Sequence, residues 1–320
     1  MRMPPFLKLL VLAVGMLSSA HAAESEPVVI DDPIYAHPQR LVEVESGRRL
    51  NIHCTGNGSP AVIIDAGLTE PTSSWGLVQP MVAAKTMVCS YDRAGVGFSD
   101  AGQRAGSSAN IVDDLHRLLA AAAIKPPYVL VVHSYGGMNV RLFAHVYPSE
   151  VVGMVLVDPS HEDQREGYRK LDPEKRTSEQ WDAYAVEPSL KLRRECVSAA
   201  DSGFTPGTDI HKKCSFPQYP QLSAEIQAAT ARFQLRRGFQ QAQLSEEENI
   251  FRASSEQVRA ARRRFGDMPL VVLTASPPLP PKDPITPEKW AHRQARYQMW
   301  AGLHASLAAS SLRGVQRVVP

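Results

Sequence analysis

The sequence predicts an α/β fold: a mostly parallel, twisted sheet with helices on both faces and a helical insertion. Three observations predict it. Short continuous apolar runs at 61–64, 128–132 and 151–157 have the length and composition of strands buried on both faces. Segments of helical periodicity lie between them, so the strands are joined by crossovers and run parallel. The rhythm stops at residue 160, gives way to a polar stretch rich in Arg, Glu, Gln and Ser up to about 266, and resumes at 269–275.

Taken in order, residues 24–40 are a polar, proline-containing arm. Residues 41–45 and 49–54 alternate apolar and polar around Ser46-Gly47, which reads as a hairpin. A Gly, Asn, Ser and Pro loop at 55–60 leads into the strand 61–64, which ends on Asp65-Ala66-Gly67-Leu68. A helix from Ser73 carries Trp75, Leu77, Val78 and Met81, and 86–91 is the next strand, with 92–99 its exit loop. Ile111, Val112, Leu115, Leu118 and Leu119 recur at helical spacing and predict an amphipathic helix over 107–123. The strand 128–132 follows, then a helix over 137–147 halted near Pro148, then the strand 151–157. The insertion is helical in propensity mainly from Gln221 onward. A strand at 269–275, a long helix at 286–311 and a last strand at 315–319 complete the chain. The layout is one core, 41–160 plus 267–320, interrupted by an insertion at 161–266, with no internal repeat.

A chain of 320 residues, 43% hydrophobic and 21% charged, has an ordinary globular composition. Its formal net charge of +2 is too small to make nucleic acid or an anionic membrane the main partner. Arg262, Arg263 and Arg264 read as a solvated helix end. At the N-terminus, Arg2 and Lys8 accompany an apolar stretch at 9–17, and Ala20 and Ala22 form an A-x-A site. This predicts a signal peptide over 1–22, cleaved after Ala22, and an exported protein, periplasmic or secreted. No other segment approaches the ~18 apolar residues of a membrane span, so no stable membrane anchor is expected after cleavage. In an exported chain the four cysteines, Cys54, Cys89, Cys196 and Cys214, can form two disulfides.

The strand at 128–132 runs into His133-Ser134-Tyr135-Gly136-Gly137, and a helix begins at once. A sharp strand-to-helix turn holds a serine hydroxyl clear of its neighbours and needs small residues close by, because the backbone packs tightly there. The stretch resembles the nucleophile elbow of the α/β-hydrolase family, G-x-S-x-G, with Val132 standing where that pattern has its first Gly. The order of elements over about 41–160 and 268–320 is similar to that family's as well. The resemblance implies that Ser134 is the nucleophile and that two backbone amides stabilise the oxyanion. One belongs to Tyr135. The other belongs to Leu68, in Ala66-Gly67-Leu68, which takes the place of the family's His-Gly-x loop with Ala66 in place of the His. The resemblance makes the insertion after the sixth strand a lid and the 92–99 loop structural. It makes the second and fourth strands neighbours, implying Cys54–Cys89 and, with it, Cys196–Cys214.

A serine needs a base, and the base needs an acid to orient it. The acid has two candidates. Asp158 directly ends the sixth strand, whereas Asp283 lies in 282–287, which locally resembles the family's acid loop after the seventh. A rigid strand end holds a carboxylate better than a long loop does, which favours Asp158. The family's base follows the eighth strand, which here is 315–319, and none of the ten histidines lies beyond it. His133 sits within the elbow, His161 follows the sixth strand and could approach the site, and His304 reads as a surface residue of a long helix. The resemblance therefore implies an exported serine hydrolase of esters or related acyl compounds whose record stops short of its catalytic His. The alternative is a non-catalytic binding protein of the same fold. Losing a triad member costs roughly 10⁴ to 10⁶ in rate, so the chain alone is expected to be nearly inactive. No His or Cys spacing suits zinc and no G-x-G-x-x-G follows a strand, so neither metal nor cofactor is expected. The expected partner is a small-molecule acyl substrate.

Overall fold

A computed structural model describes residues 29–216, 219–280 and 285–320. The signal-peptide segment 1–22 and the candidate acid Asp283 lie outside the described residues. The predicted hairpin is present as β1 (Leu41–Glu45) and β2 (Arg48–Thr55). Then come β3 (Ala61–Asp65), the short α1 (Gln79–Ala83), β4 (Val88–Tyr91), α2 (Ser108–Ala121), β5 (Tyr128–His133), α3 (Gly136–Val146) and β6 (Val151–Val157). After the insertion the core resumes with β7 (Leu270–Ala275), α11 (Pro287–Ala308) and β8 (Gly314–Val319).

These strands form one eight-stranded sheet in the order β1-β2-β4-β3-β5-β6-β7-β8. The β1–β2 and β2–β4 pairs are antiparallel and the remaining pairs parallel. The apolar runs explain the middle of the sheet: every residue of β3 and of β4 is buried. Val132, which stands where the elbow pattern has Gly, is fully buried in the main core cluster, so a β-branched side chain is accommodated there as packing. Helix α2 buries the predicted stripe Ile111, Val112, Leu115, Leu118 and Leu119. Helix α3 is buried on nearly all sides because α2 and α10 (Ala253–Ala261) both pack on it.

The structure changes three sequence expectations. The helix expected from Ser73 is a 3₁₀ turn over Thr72–Trp75 followed by α1; Trp75 is buried, while Leu77, Val78 and Met81 are exposed. The insertion is helical from its start, with α4 (Gln164–Lys170), α5 (Ser178–Ala185), α6 (Glu187–Ser202) and α7 (Asp209–Cys214) preceding α8 (Ala224–Gln234), α9 (Arg237–Ile250) and α10. Its early half was missed because it is carried by local caps, such as the Thr177–Gln180 capping box of α5, and not by an apolar stripe. His304 is buried, not on the surface.

Both cysteine pairings are present. Strands β2 and β4 place Cys54 opposite Cys89, and the two are bonded. Cys196 on α6 is bonded to Cys214 at the end of α7. Among the described residues no helix is long and apolar enough to cross a membrane.

Candidate active site at the carboxyl edge of the sheet

In an open parallel sheet, ligands are met where the strands end and the strand order reverses direction. Here that point lies between β3 and β5, because β4 continues to one side and β6 to the other. The loop after β3, the elbow after β5 and the residue after β6 therefore stand side by side. They carry Leu68, Ser134 and Asp158.

Ser134 has φ +50°, a left-handed conformation that a side chain rarely adopts. Its backbone is pinned on both sides: its N–H donates to Val157 O (3.2 Å), and its carbonyl accepts from Gly137 N (2.9 Å) and Ser160 N (2.7 Å). The two downstream glycines are sterically required. A Cβ on Gly136 would lie 2.5 Å from the Asp65 carbonyl oxygen, and one on Gly137 2.5 Å from Pro159 Cβ. The turn is thus clamped between the ends of β3 and β6, which is what places Ser134 at the edge of the sheet.

The loop after β3 is bonded residue by residue. Arg93, buried behind it, donates to the carbonyls of Ala66 (2.8 Å) and Gly67 and to Asp65 Oδ1 (2.6 Å). Glu246, from α9, accepts from Thr69 N (2.8 Å) and from two nitrogens of Arg93 (2.7 and 3.0 Å). Glu70 accepts from Gly67 N (2.8 Å), and its carboxyl occupies the space a Gly67 Cβ would fill, 2.7–2.8 Å away. Among the described residues the amides of Leu68 and Tyr135 are left without partners. The Tyr135 side chain is buried and tied to Gly106 O and Ser254 Oγ (both 2.8 Å), and burial pushes its hydroxyl up.

Asp158 also adopts a left-handed φ, +42°, at the end of β6. Its Oδ1 accepts from Trp300 Nε1 (3.0 Å) and, at 3.4 Å, from Ala275 N, while Oδ2 has no partner among the described residues. The end of β8 pairs with Ala275, so the chain leaves the sheet beside this carboxyl.

None of the three candidate histidines is arranged as a free base. His133 pairs through Nδ1 with Glu70 (3.1 and 3.2 Å), and that hydrogen bond holds its imidazole above the ordinary value. Among the described residues His161 makes no hydrogen bond to Ser134, and its Nε2 lies 3.4 Å from Ser306 Oγ. Its Nδ1 accepts from Asp163 N (2.9 Å), and burial together with Arg141 pushes it down to about 4. His304 Nε2 faces the Pro159 carbonyl (3.0 Å) and so carries the proton, leaving Nδ1 to accept from Thr274 Oγ1 (2.9 Å); burial lowers it as well. It approaches Asp158 at 4.0 Å but has no nitrogen to offer a serine.

One grouping among the described residues, His161, Glu162 and Asp163, has metal-like proximity. Arg141 already lies 2.8 Å from Glu162, which burial would raise but Arg141 and His161 hold down to about 2. The cluster is an internal ion network. A cavity of about 320 Å³ opens between the β4 exit loop and α9, with Tyr91, Arg93 and Glu246 on its wall. Arg93 and Glu246 separate it from the loop that carries Leu68.

The model of the α/β-hydrolase fold family matches residues 60–185, from the start of β3 to the end of α5. An AB hydrolase superfamily protein of Gibberella zeae is 33% identical over 107 residues, 32% of this chain and 33% of that protein. The uncharacterised protein YqjL of Bacillus subtilis is 32% identical over 108 residues, 34% of this chain and 43% of its own length. The chain thus spans less than half of either relative. Among solved structures, a protein assigned as an epoxide hydrolase from Pseudomonas aeruginosa superposes with a TM-score of 0.60 at 14% identity, covering 88% of this chain and 87% of that one. One assigned as a lipase from Acinetobacter baumannii superposes at 0.57 and 18% identity, covering 89% and 84%. With its sheet order, its turn after β5 and this match over part of its length, the chain has the α/β-hydrolase fold.

Proposed function

We propose that the protein is an exported serine hydrolase that cleaves an ester or related small acyl substrate through an acyl-enzyme. The observation that carries the reading is Ser134 held at φ +50° beside two backbone amides with no partner among the described residues. Ser134 Oγ attacks the acyl carbonyl while its proton passes to a histidine. The developing oxyanion takes the Leu68 and Tyr135 amides, donors that are already oriented and need no reorganisation. The histidine returns its proton to the departing alcohol, and water then releases the acid by the same steps in reverse. Asp158 orients that histidine through Oδ2, which has no partner among the described residues, with Asp283 the rival for this role. The helical insertion serves as the lid that bounds the acyl site.

In this reading the histidine comes from outside the 320 residues, from chain following β8. What favours it is that β8 ends beside Asp158 while His133, His161 and His304 are already engaged. The same engagement favours the second reading, a non-catalytic binding protein. The DNA downstream of Pro320 separates the two: a histidine in the loop after β8 is expected, and an immediate stop supports the binding protein. A fluorophosphonate probe should label the product of the extended gene at Ser134 and leave Ser134→Ala unlabelled. A folded, extended product that takes no label overturns the hydrolase reading.

A further inference from the structure

We infer that Glu70 and His133 form a positioning pair that ties the loop carrying Leu68 to the strand residue immediately before Ser134. The inference rests on the reading of Ser134 as nucleophile, and it assigns a role to two residues outside the triad and the oxyanion amides. One carboxyl does both jobs. Glu70 accepts the Gly67 amide at 2.8 Å and meets His133 Nδ1 at 3.1 and 3.2 Å. Gly67 is the residue before the Leu68 amide, and His133 is the residue before the nucleophile, so the pair spans the two halves of the oxyanion site by side chains alone.

The backbone shows why such a link matters. Strands β3 and β5 pair only as far as Asp65 and Val132; beyond them the β3 segment leaves the sheet, while His133 still pairs with Val157 of β6. From there the separation of the Leu68 amide from the Tyr135 amide rests on the packing of Gly136 against the Asp65 and Ala66 backbone and on side chains. Arg93 holds the carbonyls of the loop from behind and Glu246 holds Thr69, but among the described contacts Glu70 is what joins the loop to the last residue of β5. The approach is close enough that a Cβ at position 67 would push the Glu70 carboxyl off this position. This gives Gly67 a reason that has nothing to do with φ, which is not left-handed there.

The charged and titratable groups around the pair all support an ion pair. Burial raises the Glu70 carboxyl, but the hydrogen bond and charge of His133, the Gly67 amide and Arg93 together hold it below the usual carboxylate range. His133 is favoured in its charged form by Glu70 and by Asp158. Tyr219 faces Glu70 from the insertion and is neutral, pushed up by burial and by that carboxylate. With His133 protonated, the imidazole is a fixed donor to Glu70 and not a base.

The test uses Glu70→Gln, which keeps an acceptor for Gly67 but removes the charge, and Glu70→Ala, which removes both. Nuclear magnetic resonance of the 320-residue chain would follow the His133 imidazole through a pH titration and the Gly67 amide by hydrogen exchange. The expected result is a downward move of the His133 midpoint in both variants, with faster Gly67 exchange in Glu70→Ala alone. An unchanged His133 midpoint in Glu70→Gln, or unchanged Gly67 exchange in Glu70→Ala, overturns the pairing. In the extended product, fluorophosphonate labelling of Ser134 should slow at least ten-fold in Glu70→Ala and recover most of its rate in Glu70→Gln; equal rates in all three forms leave the link without a positioning role. If the extended product with native Glu70 takes no label, the nucleophile reading has failed, and the titration and exchange arms still decide the link itself.

Discussion

Removing the Glu246 carboxyl should cost more stability than any other single change near the candidate site, because one buried group serves three donors. Glu246 is 2% exposed and Arg93 4%. The carboxyl takes two charge-assisted bonds from Arg93, at 2.7 and 3.0 Å, and the Thr69 amide at 2.8 Å. In Glu246→Ala the guanidinium keeps Asp65 and two carbonyls but loses its second counter-charge, and breaking a buried ion pair costs about 3–5 kcal/mol. The stranded Thr69 amide, on a residue only 3% exposed, adds a penalty of about 1–3 kcal/mol if no water reaches it. These terms share one site and do not add in full, so the expected loss is about 4–5 kcal/mol. Glu246→Gln keeps an acceptor for Thr69 and should lose about half of that.

Urea unfolding at neutral pH, followed by tryptophan fluorescence, measures this directly, provided the slope with denaturant is unchanged. The control is the double substitution Arg93→Met with Glu246→Leu, which removes both charges together and should cost less than the two single changes summed. A Glu246→Ala loss below about 1 kcal/mol, or strict additivity in the double variant, refutes the reasoning, since either would mean that the ion pair is effectively solvated. The same measurement bears on how the insertion relates to the core. Glu246 belongs to α9 and its partners to the loops after β3 and β4, so the bond joins elements 153 positions apart in sequence.

Three further outcomes follow from particular contacts. Acid should destabilise the protein in two windows. His145 and His161 are buried and neutral, each depressed to about 4, so their contribution is complete above about pH 6.5 and lost as pH falls toward 4. Glu162, held at about 2, adds stability that is lost between about 4.5 and 2. Calorimetric Tm should therefore fall from pH 7 to 5, and His145→Gln should flatten that slope; a Tm independent of pH over this range would count against both buried neutral histidines. Ser134→Gly should abolish labelling of the extended product without loss of stability, because glycine adopts φ +50° freely and relieves about 1 kcal/mol of backbone strain; a clear drop in Tm would contradict the strained elbow. Replacing Cys54 and Cys89 together by alanine should cost about 3–4 kcal/mol on loop-closure grounds, given their separation of 35 residues, and an unchanged urea midpoint would contradict it.

The sheet was legible because its signal is local. Continuous apolar runs bounded by Gly and Pro mark β3, β5 and β6, and the structure keeps each within a residue or two. The bond between Cys54 and Cys89 followed from strand order implied by resemblance, and spacing alone would not have given it. The wiring of the loop after β3 was not legible. Arg93, Glu246 and Glu70 come from three separate segments, and a lone charged residue in sequence reads as solvated surface until a partner is known. Gly67 carried the available signal, but it read as a simple turn glycine, whereas its φ is not left-handed and the Glu70 carboxyl three residues on packs where its Cβ would be.

His304 shows the limit most clearly. Helix α11 buries little besides His304, Leu307 and Ala308, so a sequence pattern averaged over its 22 residues reads as exposed throughout. The burial is confined to the last turns, where the helix crosses β7 and β8. There the imidazole is fixed by a carbonyl on one side and a threonine hydroxyl on the other, and the same hydroxyl takes Gln316 at 2.9 Å. A histidine held by Pro159 O, one residue after Asp158, makes the strained end of β6 rigid. Its proximity to Asp158 could suggest a catalytic dyad, yet the proton on Nε2 faces the carbonyl and the lone pair on Nδ1 is taken. In the proposed reading Asp158 and the Leu68 and Tyr135 amides are positioned for chemistry at Ser134, while His304, 4.0 Å from Asp158, spends both nitrogens on the Pro159 carbonyl and the Thr274 hydroxyl.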